Sequence, residues 1–284
     1  MEIIHRRQRM SSISRKLRRE QDKTIGVVPT MGALHEGHLS LIREARQMCD
    51  IVVVSIFVNP TQFGKNEDFD RYPRDLTADT SLLTDYNVDY IFAPPVEEIY
   101  PDGFSTYIYV ENLSDTLEGA ARPGHFRGVA TVVAILFNTI RPDFAFFGQK
   151  DGQQIAVLKR MIKDLAFETE IVTMNTIREE NGLAMSSRNA YLSQREKQAA
   201  SIIYQALREA KLAYRNGERS ADRLATIVSD KINSEPLARL EYAAITDAET
   251  LTPLDRLEDE TVLISVAVRF GNIRLIDNAL LNKK

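Results

Sequence analysis

Cysteine is nearly missing from this sequence: Cys49 is the one cysteine among 284 residues. An internal disulfide framework is therefore excluded. At the end of an apolar helical pattern, Cys49 reads as a buried thiol rather than a nucleophile. Long apolar runs are missing too. No stretch approaches the roughly 20 residues that cross a bilayer. A basic excess is also absent, since the formal net charge is −4. Dedicated nucleic-acid binders are basic, so that class is set aside and any anion site must be made locally. There are no internal repeats and no low-complexity linker. The stretch from Met1 to Asp22 is rich in arginine but has no continuous hydrophobic segment, so it does not read as a secretory signal. Ile3, Met10, Ile13 and Leu17 instead predict a surface helix with a basic face. The cytoplasm is the expected location.

What is present fits a globular chain. Hydrophobic residues make up 44% and charged residues 27%, and the length suffices for one large or two modest domains. Thr24 to Pro29 reads as a strand, and Ile51 to Val58 as a near-continuous apolar strand of the kind buried on both faces of a parallel sheet. Helical patterns over 38–49, 76–86, 129–140 and 152–165 alternate with further strands at 88–93, 143–147 and 168–172. This alternation predicts an α/β fold, a doubly wound, Rossmann-like parallel sheet. After about Ile177 the order changes. Helices over 194–216 and 221–233 precede strands near 240–246, 262–268 and 273–276, as in a small α+β domain. The expected division is 1–176 and 177–284.

The most informative stretch is Thr30-Met31-Gly32-Ala33-Leu34-His35-Glu36-Gly37-His38, a joint between a strand and a helix. A helix N-terminus presents unpaired N–H groups and a positive dipole end, which suits phosphate. His35 and His38 add imidazole donors near charge that moves during phosphate displacement. Histidines three apart also occur by chance, and a histidine pair on a helix can bind zinc. Against zinc, the chain has four histidines, and neither His5 nor His125 has a convincing companion ligand. The His-x-Gly-His pattern resembles the nucleotide signature of the nucleotidylyltransferase superfamily, to which class I aminoacyl-tRNA synthetases are related.

Four other segments carry chemistry. Asn59-Pro60-Thr61-Gln62-Phe63 follows a core strand and offers neutral amides, suited to a hydroxylated or a carboxylate substrate or merely placed in a solvated turn. Arg122-Pro123-Gly124-His125-Phe126-Arg127-Gly128 is either a phosphate-contacting flap or a solvated loop before a helix starting near Val129. In Gly148-Gln149-Lys150-Asp151, Lys150 would serve as a point charge for phosphates, and Asp151 would cap the next helix or hold a substrate, capping being the safer reading. Met185-Ser186-Ser187-Arg188-Asn189 combines hydroxyls and a guanidinium suited to polyphosphate. In topology of this kind, segments that follow strands directly are expected to converge beyond the strand ends.

Taken together the segments resemble the pantothenate synthetase (pantoate–β-alanine ligase) family. The matching stretches are 29–38, 54–63, 72–74, 117–119, 122–129, 147–151, 182–189 and 274–278. The resemblance implies a ligase that makes pantothenate from pantoate, β-alanine and ATP through a pantoyl-adenylate, releasing AMP and pyrophosphate. It also implies Mg²⁺, a homodimer, a Rossmann-type domain and a C-terminal lid. By the same resemblance, His38, His35 and Lys150 are catalytic. The ATP set is Met31, His35, His38, Gly148, Lys150, Asp151, Ile177, Met185, Ser186, Ser187 and Arg188. Gln62, Gln154 and Asn59 hold pantoate or β-alanine. Asp79 and Asp151 are the acidic side chains considered for Mg²⁺, with no ligand assigned. Three positions depart from the family pattern: Gln149 where Glu is common, Gly152 where a larger residue is usual, and Asn181 where Asp is usual. Gly152 is expected to loosen a helix start and to remove a packing group. The competing readings are a nucleotidylyltransferase that leaves AMP on its product, a tRNA-charging enzyme, and a non-catalytic nucleotide-binding regulator.

Overall fold

A computed structural model describes residues 1–64, 67 and 69–282. Residues 283 and 284 of the expected second domain lie outside them. The described residues group into two compact units, one of residues 1–148 and 157–174, the other of residues 149–156 and 175–282.

In the first unit, six strands form a parallel sheet: β1 (Glu2–Ile4), β2 (Ile25–Thr30), β3 (Ile51–Ile56), β4 (Tyr90–Phe92), β5 (Phe144–Gly148) and β6 (Glu170–Met174). Their spatial order is β1-β4-β3-β2-β5-β6. Helices α1 (Arg7–Gln21), α2 (Glu36–Met48), α3 (Leu76–Leu83), α4 (Val96–Ile99), α5 (Glu118–Ala121), α6 (His125–Ile140) and α7 (Gly152–Asp164) intervene, the last with only residues 157–164 in this unit. The register pairs Val27 with Val53 and Val28 with Val54, so side chains alternate between two covered faces. On one face Val28, Val54 and Phe146 pack with Leu39, Ile42 and Ala45 of α2 and Leu83 of α3. On the other, Val27, Val53 and Ala145 are equally buried. Both faces are lined by apolar residues, which is why the strands read as apolar runs. Cys49 belongs to the first of these layers, and burial pushes its thiol up to about 11. The chain order reverses direction at β2, which lies between β3 and β5. Ligands in such sheets bind beyond the carboxyl ends at this switch, and Thr30 and Gly148 are those ends.

Three expectations about secondary-structure elements need correction, two of them in this unit. Strand β1 was not foreseen, because three residues of edge strand carry too little pattern to register. The helix placed at Val129 starts at His125, so the end of the supposed loop is helical. Gly124, at φ 85°, makes the turn that starts it.

The second unit holds α8 (Gln194–Ala200), α9 (Ile202–Arg215), α10 (Ala221–Asn233) and the antiparallel strands β7 (Ala238–Asp247), β8 (Val262–Phe270) and β9 (Ile273–Leu281). Here lies the third correction: the single helix expected over 194–216 is broken at Ser201 into α8 and α9. Strand β8 lies between its neighbours. Its Ile264, Val266, Val268 and Phe270 pack with Ile203 and Leu207 of α9 and Leu224, Val228 and Ile232 of α10.

Candidate active site

The histidine loop is built from backbone bonds inward. Thr30 Oγ1 closes the end of β2, accepting from Gly32 N at 3.2 Å and donating to Ser55 O at 2.8 Å. Gly32 and Ala33 then both take positive φ, 80° and 50°. Asp79 of α3 stabilises this turn. Its Oδ2 accepts from Ala33 N at 3.0 Å and its Oδ1 from Leu34 N at 2.8 Å. Asp79 is buried, and burial raises its carboxyl above the usual range despite these two amides, which act the other way. Both oxygens accept from main-chain amides, so Asp79 supports the loop.

Helix α2 begins with a reciprocal cap made by two imidazoles. His35 Nδ1 accepts from Gly37 N at 3.1 Å, and His38 Nδ1 accepts from His35 N at 3.3 Å. The ring centroids lie 4.1 Å apart. This is the geometry of a capping box, usually built from Ser or Thr with Glu or Gln. An accepting Nδ1 places the proton of a neutral ring on Nε2. Both imidazoles therefore carry an Nε2–H, and both are set at the positive end of a helix.

The turn after β3 meets this loop. Asn59 is 1% exposed. Its Oδ1 accepts from Tyr100 Oη at 2.7 Å and Thr61 Oγ1 at 2.9 Å, while its Nδ2 donates to Gly128 O and to Gln62 Oε1, each at 3.1 Å. Gln62 Nε2 in turn donates to Met31 Sδ at 3.0 Å. Two predicted segments are thus joined through one carboxamide, whose oxygen faces Asn59 and whose nitrogen faces the histidine loop. Asn59 thus orients Gln62. Tyr100, which completes this arrangement, had no motif around it to reveal it.

Behind Gln62 lies a charged cluster. Arg122 Nε donates to Glu67 Oε1 at 2.7 Å and Arg122 Nη2 to Glu67 Oε2 at 2.6 Å. Arg122 Nη1 stands 3.2 Å from His125 Nε2, and His125 Nδ1 stands 2.9 Å from Gln62 O. A guanidinium only donates and a carbonyl only accepts, so His125 must be neutral with its proton on Nδ1. Burial, and then the charge of Arg122, push the His125 imidazole down to about 4. Burial alone would raise the Glu67 carboxyl, but the hydrogen bonds and charge of Arg122 prevail and hold it below the usual range. These groups bond to each other and to Gln62 O, so a solvated loop does not describe Arg122 and His125.

In the second unit, Asn278 of β9 organises the segment that follows Gly148. Asn278 Nδ2 donates to Gln149 O and Lys150 O, each at 2.8 Å, and Asn278 Oδ1 accepts from Gln149 Nε2 at 3.0 Å. Gln149 thus supplies an N–H that a Glu at this position would lack. Lys150 Nζ donates to Asp151 Oδ1 at 3.2 Å. At Gly152 little room is left for a side chain. A Cβ there would sit 3.1 Å from Gln149 Nε2 and 3.2 Å from both Asn278 Nδ2 and Leu263 Cδ1, so the space is already filled. Gln154 lies half-buried on the first turn of α7. Ile177 O accepts from Met185 N at 2.9 Å, and Ser186 Oγ caps the turn Ser187–Tyr191 by accepting from Arg188 N at 3.3 Å. Asn181 uses both ends of its amide, accepting from Leu183 N and donating to Lys197 O, each at 3.0 Å. A carboxylate could not make the second bond. Arg178 pairs with buried Asp277 at 2.6 Å and lies over Tyr204. Asp277 and Asn278 were visible in the sequence as part of a matching stretch, but their roles were not. Among the described residues, no group of three or more His, Cys, Asp or Glu could hold a metal ion.

Known proteins resemble this chain along nearly its whole length. A family profile described as Pantoate-beta-alanine ligase matches residues 2–280. Pantothenate synthetase of Pelotomaculum thermopropionicum is 54% identical over 265 residues, covering 93% of this chain and 94% of that one. The enzyme of Thermotoga petrophila is 52% identical over 281 residues, covering 99% of this chain and 100% of that one. The crystal structure of pantothenate synthetase from Thermus thermophilus superposes with a TM-score of 0.92 at 44% identity, covering 98% of this chain and 99% of that one. Pantoate-beta-alanine ligase from Francisella tularensis, complexed with beta-gamma ATP and beta-alanine, gives a TM-score of 0.80 at 36% identity, covering 99% of this chain and 97% of that one.

Proposed function

The chain belongs to the pantoate-beta-alanine ligase family, and on that premise we propose that it condenses pantoate with β-alanine in two half-reactions. In the first, a carboxylate oxygen of pantoate attacks the α-phosphorus of ATP. The bond from that phosphorus to the bridging oxygen breaks, and pyrophosphate leaves with the electron pair. In the second, the amine of β-alanine attacks the pantoyl carbonyl, AMP departs, and the nitrogen loses a proton to give pantothenate.

The observation that carries this reading is the Gln62 carboxamide, held by Asn59 on one side and Met31 on the other. It supports a neutral donor for pantoate next to a histidine loop suited to phosphate. Bringing a carboxylate to a polyphosphate joins two anions, so the reaction depends on positioning and on charge stabilisation, not on an enzyme nucleophile. In this reading the Nε2–H groups of His35 and His38 donate to phosphate oxygens as charge moves to pyrophosphate, and Lys150 adds a point charge. Ser186, Ser187 and Arg188 grip the phosphates, with Gly148, Asp151, Ile177 and Met185 completing the nucleotide set. Gln62 and Gln154 hold pantoate, and Asn59 acts through Gln62. Residues 177–284 serve as the lid.

Mg²⁺ is proposed to enter on the triphosphate, keeping phosphate and water ligands as this ion does with nucleotides. Among the described residues no group of three or more His, Cys, Asp or Glu could hold it. We further propose a homodimer in the cytoplasm. No helix among the described residues is long and apolar enough to cross a membrane.

The deciding experiment is pantoate-dependent exchange of labelled pyrophosphate into ATP, with Mg²⁺ and without β-alanine. Exchange that requires pantoate, and that gives way to AMP and pantothenate when β-alanine is added, is expected. Protein that binds ATP yet shows no exchange would point to another acid substrate or to a regulator.

A further inference from the structure

The cluster behind Gln62 has a part that the nucleotide and pantoate roles leave unassigned. Gln62 is gripped twice. Its side chain is oriented by Asn59, and its main-chain oxygen accepts from His125 Nδ1 at 2.9 Å and from Arg122 Nη2 at 3.3 Å. Arg122 cannot turn away, because Glu67 binds it through two nitrogens and His125 Nε2 accepts a third N–H. Each donor in this chain has an acceptor, and the direction of every bond is set by chemistry. The carboxylate accepts from the guanidinium, the imidazole passes from acceptor to donor, and the carbonyl ends the series.

We propose that Glu67, Arg122 and His125 form a latch that positions Gln62, and thereby sets how tightly pantoate is held, without any of the three touching the substrate. The inference rests on the reading of Gln62 as a pantoate contact. The latch residues come from distant parts of the chain. Glu67 lies five residues beyond Gln62, whereas Arg122 ends α5 and His125 begins α6. The segment after β3 is thus tied to a helix whose Gly128 also touches the turn Pro60–Gln62. A carboxamide displaced by a fraction of an ångström loses the alignment that binding and orientation require. Bidentate Arg–carboxylate pairing supplies the necessary stiffness, and a lysine at position 122 would keep the charge but lose the fork.

The test is steady-state kinetics on the full chain, with pantoate and ATP varied in turn. His125→Ala is expected to raise the pantoate KM about 10-fold or more, the scale of one well-made buried hydrogen bond, with the ATP KM changed less than about 2-fold. His125→Asn, which returns an N–H near the Nδ1 position, is expected to recover most of the loss. In a Gln62→Ala background, His125→Ala should add little, because both changes remove the same contact. Arg122→Lys reads the same latch from its other end and should raise the pantoate KM, which keeps the question open to test if His125→Ala does not fold. An unaltered pantoate KM in both His125→Ala and Arg122→Lys would overturn the latch, as would an equal rise for pantoate and ATP. If Gln62→Ala itself leaves pantoate kinetics unchanged, the pantoate reading of Gln62 fails and the latch falls with it. A Gln62→Ala defect without a His125 or Arg122 defect refutes the latch alone.

Discussion

Alanine at position 128 should damage activity far more than stability. Gly128 lies in the first turn of α6 with its α-carbon against the turn Pro60–Gln62. A Cβ built there would stand 2.4 Å from Thr61 O, 2.5 Å from Thr61 C and 2.7 Å from Gln62 N. Ordinary carbon contacts are about 3.5 Å or longer, so helix or turn must give by about 1 Å. Main chain lies on both sides, so no rotamer change relieves the overlap. Overpacking of this kind costs about 1–3 kcal/mol. Alanine inside a helix returns about 1 kcal/mol of propensity over glycine. The net loss of stability is therefore about 0–2 kcal/mol. The displaced element is Gln62, however, and a misplacement of about 1 Å can cost about 100-fold in rate. The assay pairs a thermal melt with initial rates of pantoate-dependent AMP formation. Expected is a small shift in Tm with a fall of about 100-fold in kcat/KM for pantoate, while ATP binding persists. A variant with kcat/KM for pantoate within about 3-fold of the parent would refute the argument that this contact sets the position of Gln62.

Three further expectations follow from the same geometry. Asp79→Asn replaces one of two acceptors by a donor, leaving a loop amide unpaired. A loss of about 1–3 kcal/mol should emerge as a raised ATP KM, and an unchanged ATP KM would remove Asp79 from the support of the loop. His125 titrates at about 4 in the fold against about 6.5 in an unfolded chain. Between these values the unfolded chain binds the extra proton, so stability is full above about pH 6.5 and declines as pH falls toward 4, by up to about 3 kcal/mol. Urea melts of His125→Asn should show a correspondingly shallower pH slope, and identical slopes would show that the imidazole is not buried neutral. His38→Ala and Lys150→Ala should each slow adenylate formation about 100-fold or more in single turnovers; near-parental rates in both would reject their assigned roles.

Local pattern revealed the strands of the parallel sheet because burial on both faces leaves an apolar run, as in Ile51–Ile56. It revealed the strand–helix joint at His35 because glycine and capping chemistry are local. It did not reveal β1, whose three residues pair with Tyr90–Phe92 far along the chain. Pro123 and Gly124 disguised the start of α6, since both residues also mark loops. The support of the site was hidden for a different reason. Asp79 reaches the histidine loop across 45 positions, Tyr100 reaches Asn59 across 41, and Asn278 reaches Lys150 across 128. Such partners are set by tertiary packing, and nothing in the spacing of a single sequence encodes them. Asn59 is held in the same way, by Tyr100 and by Gly128 O.

The solitary thiol at the end of α2 makes the molecule its own reporter. Cys49 is 6% exposed and packs so closely under β2 that a Cβ on Gly26 would lie 2.7 Å from its sulfur. With the thiol pushed to about 11, the closed form is almost inert to alkylating or disulfide reagents at neutral pH. Modification must therefore wait for the layer between α2 and the sheet to part, and with no second cysteine in the chain the labelling rate is a single clock for that event. The histidine loop joins β2 to α2, the two elements that cover the sulfur. Whatever nucleotide settles on the closed loop should slow the clock by one plus the ratio of its concentration to its Kd. Ligand affinity at the histidine loop can then be read by mass alone, in variants that no longer turn over.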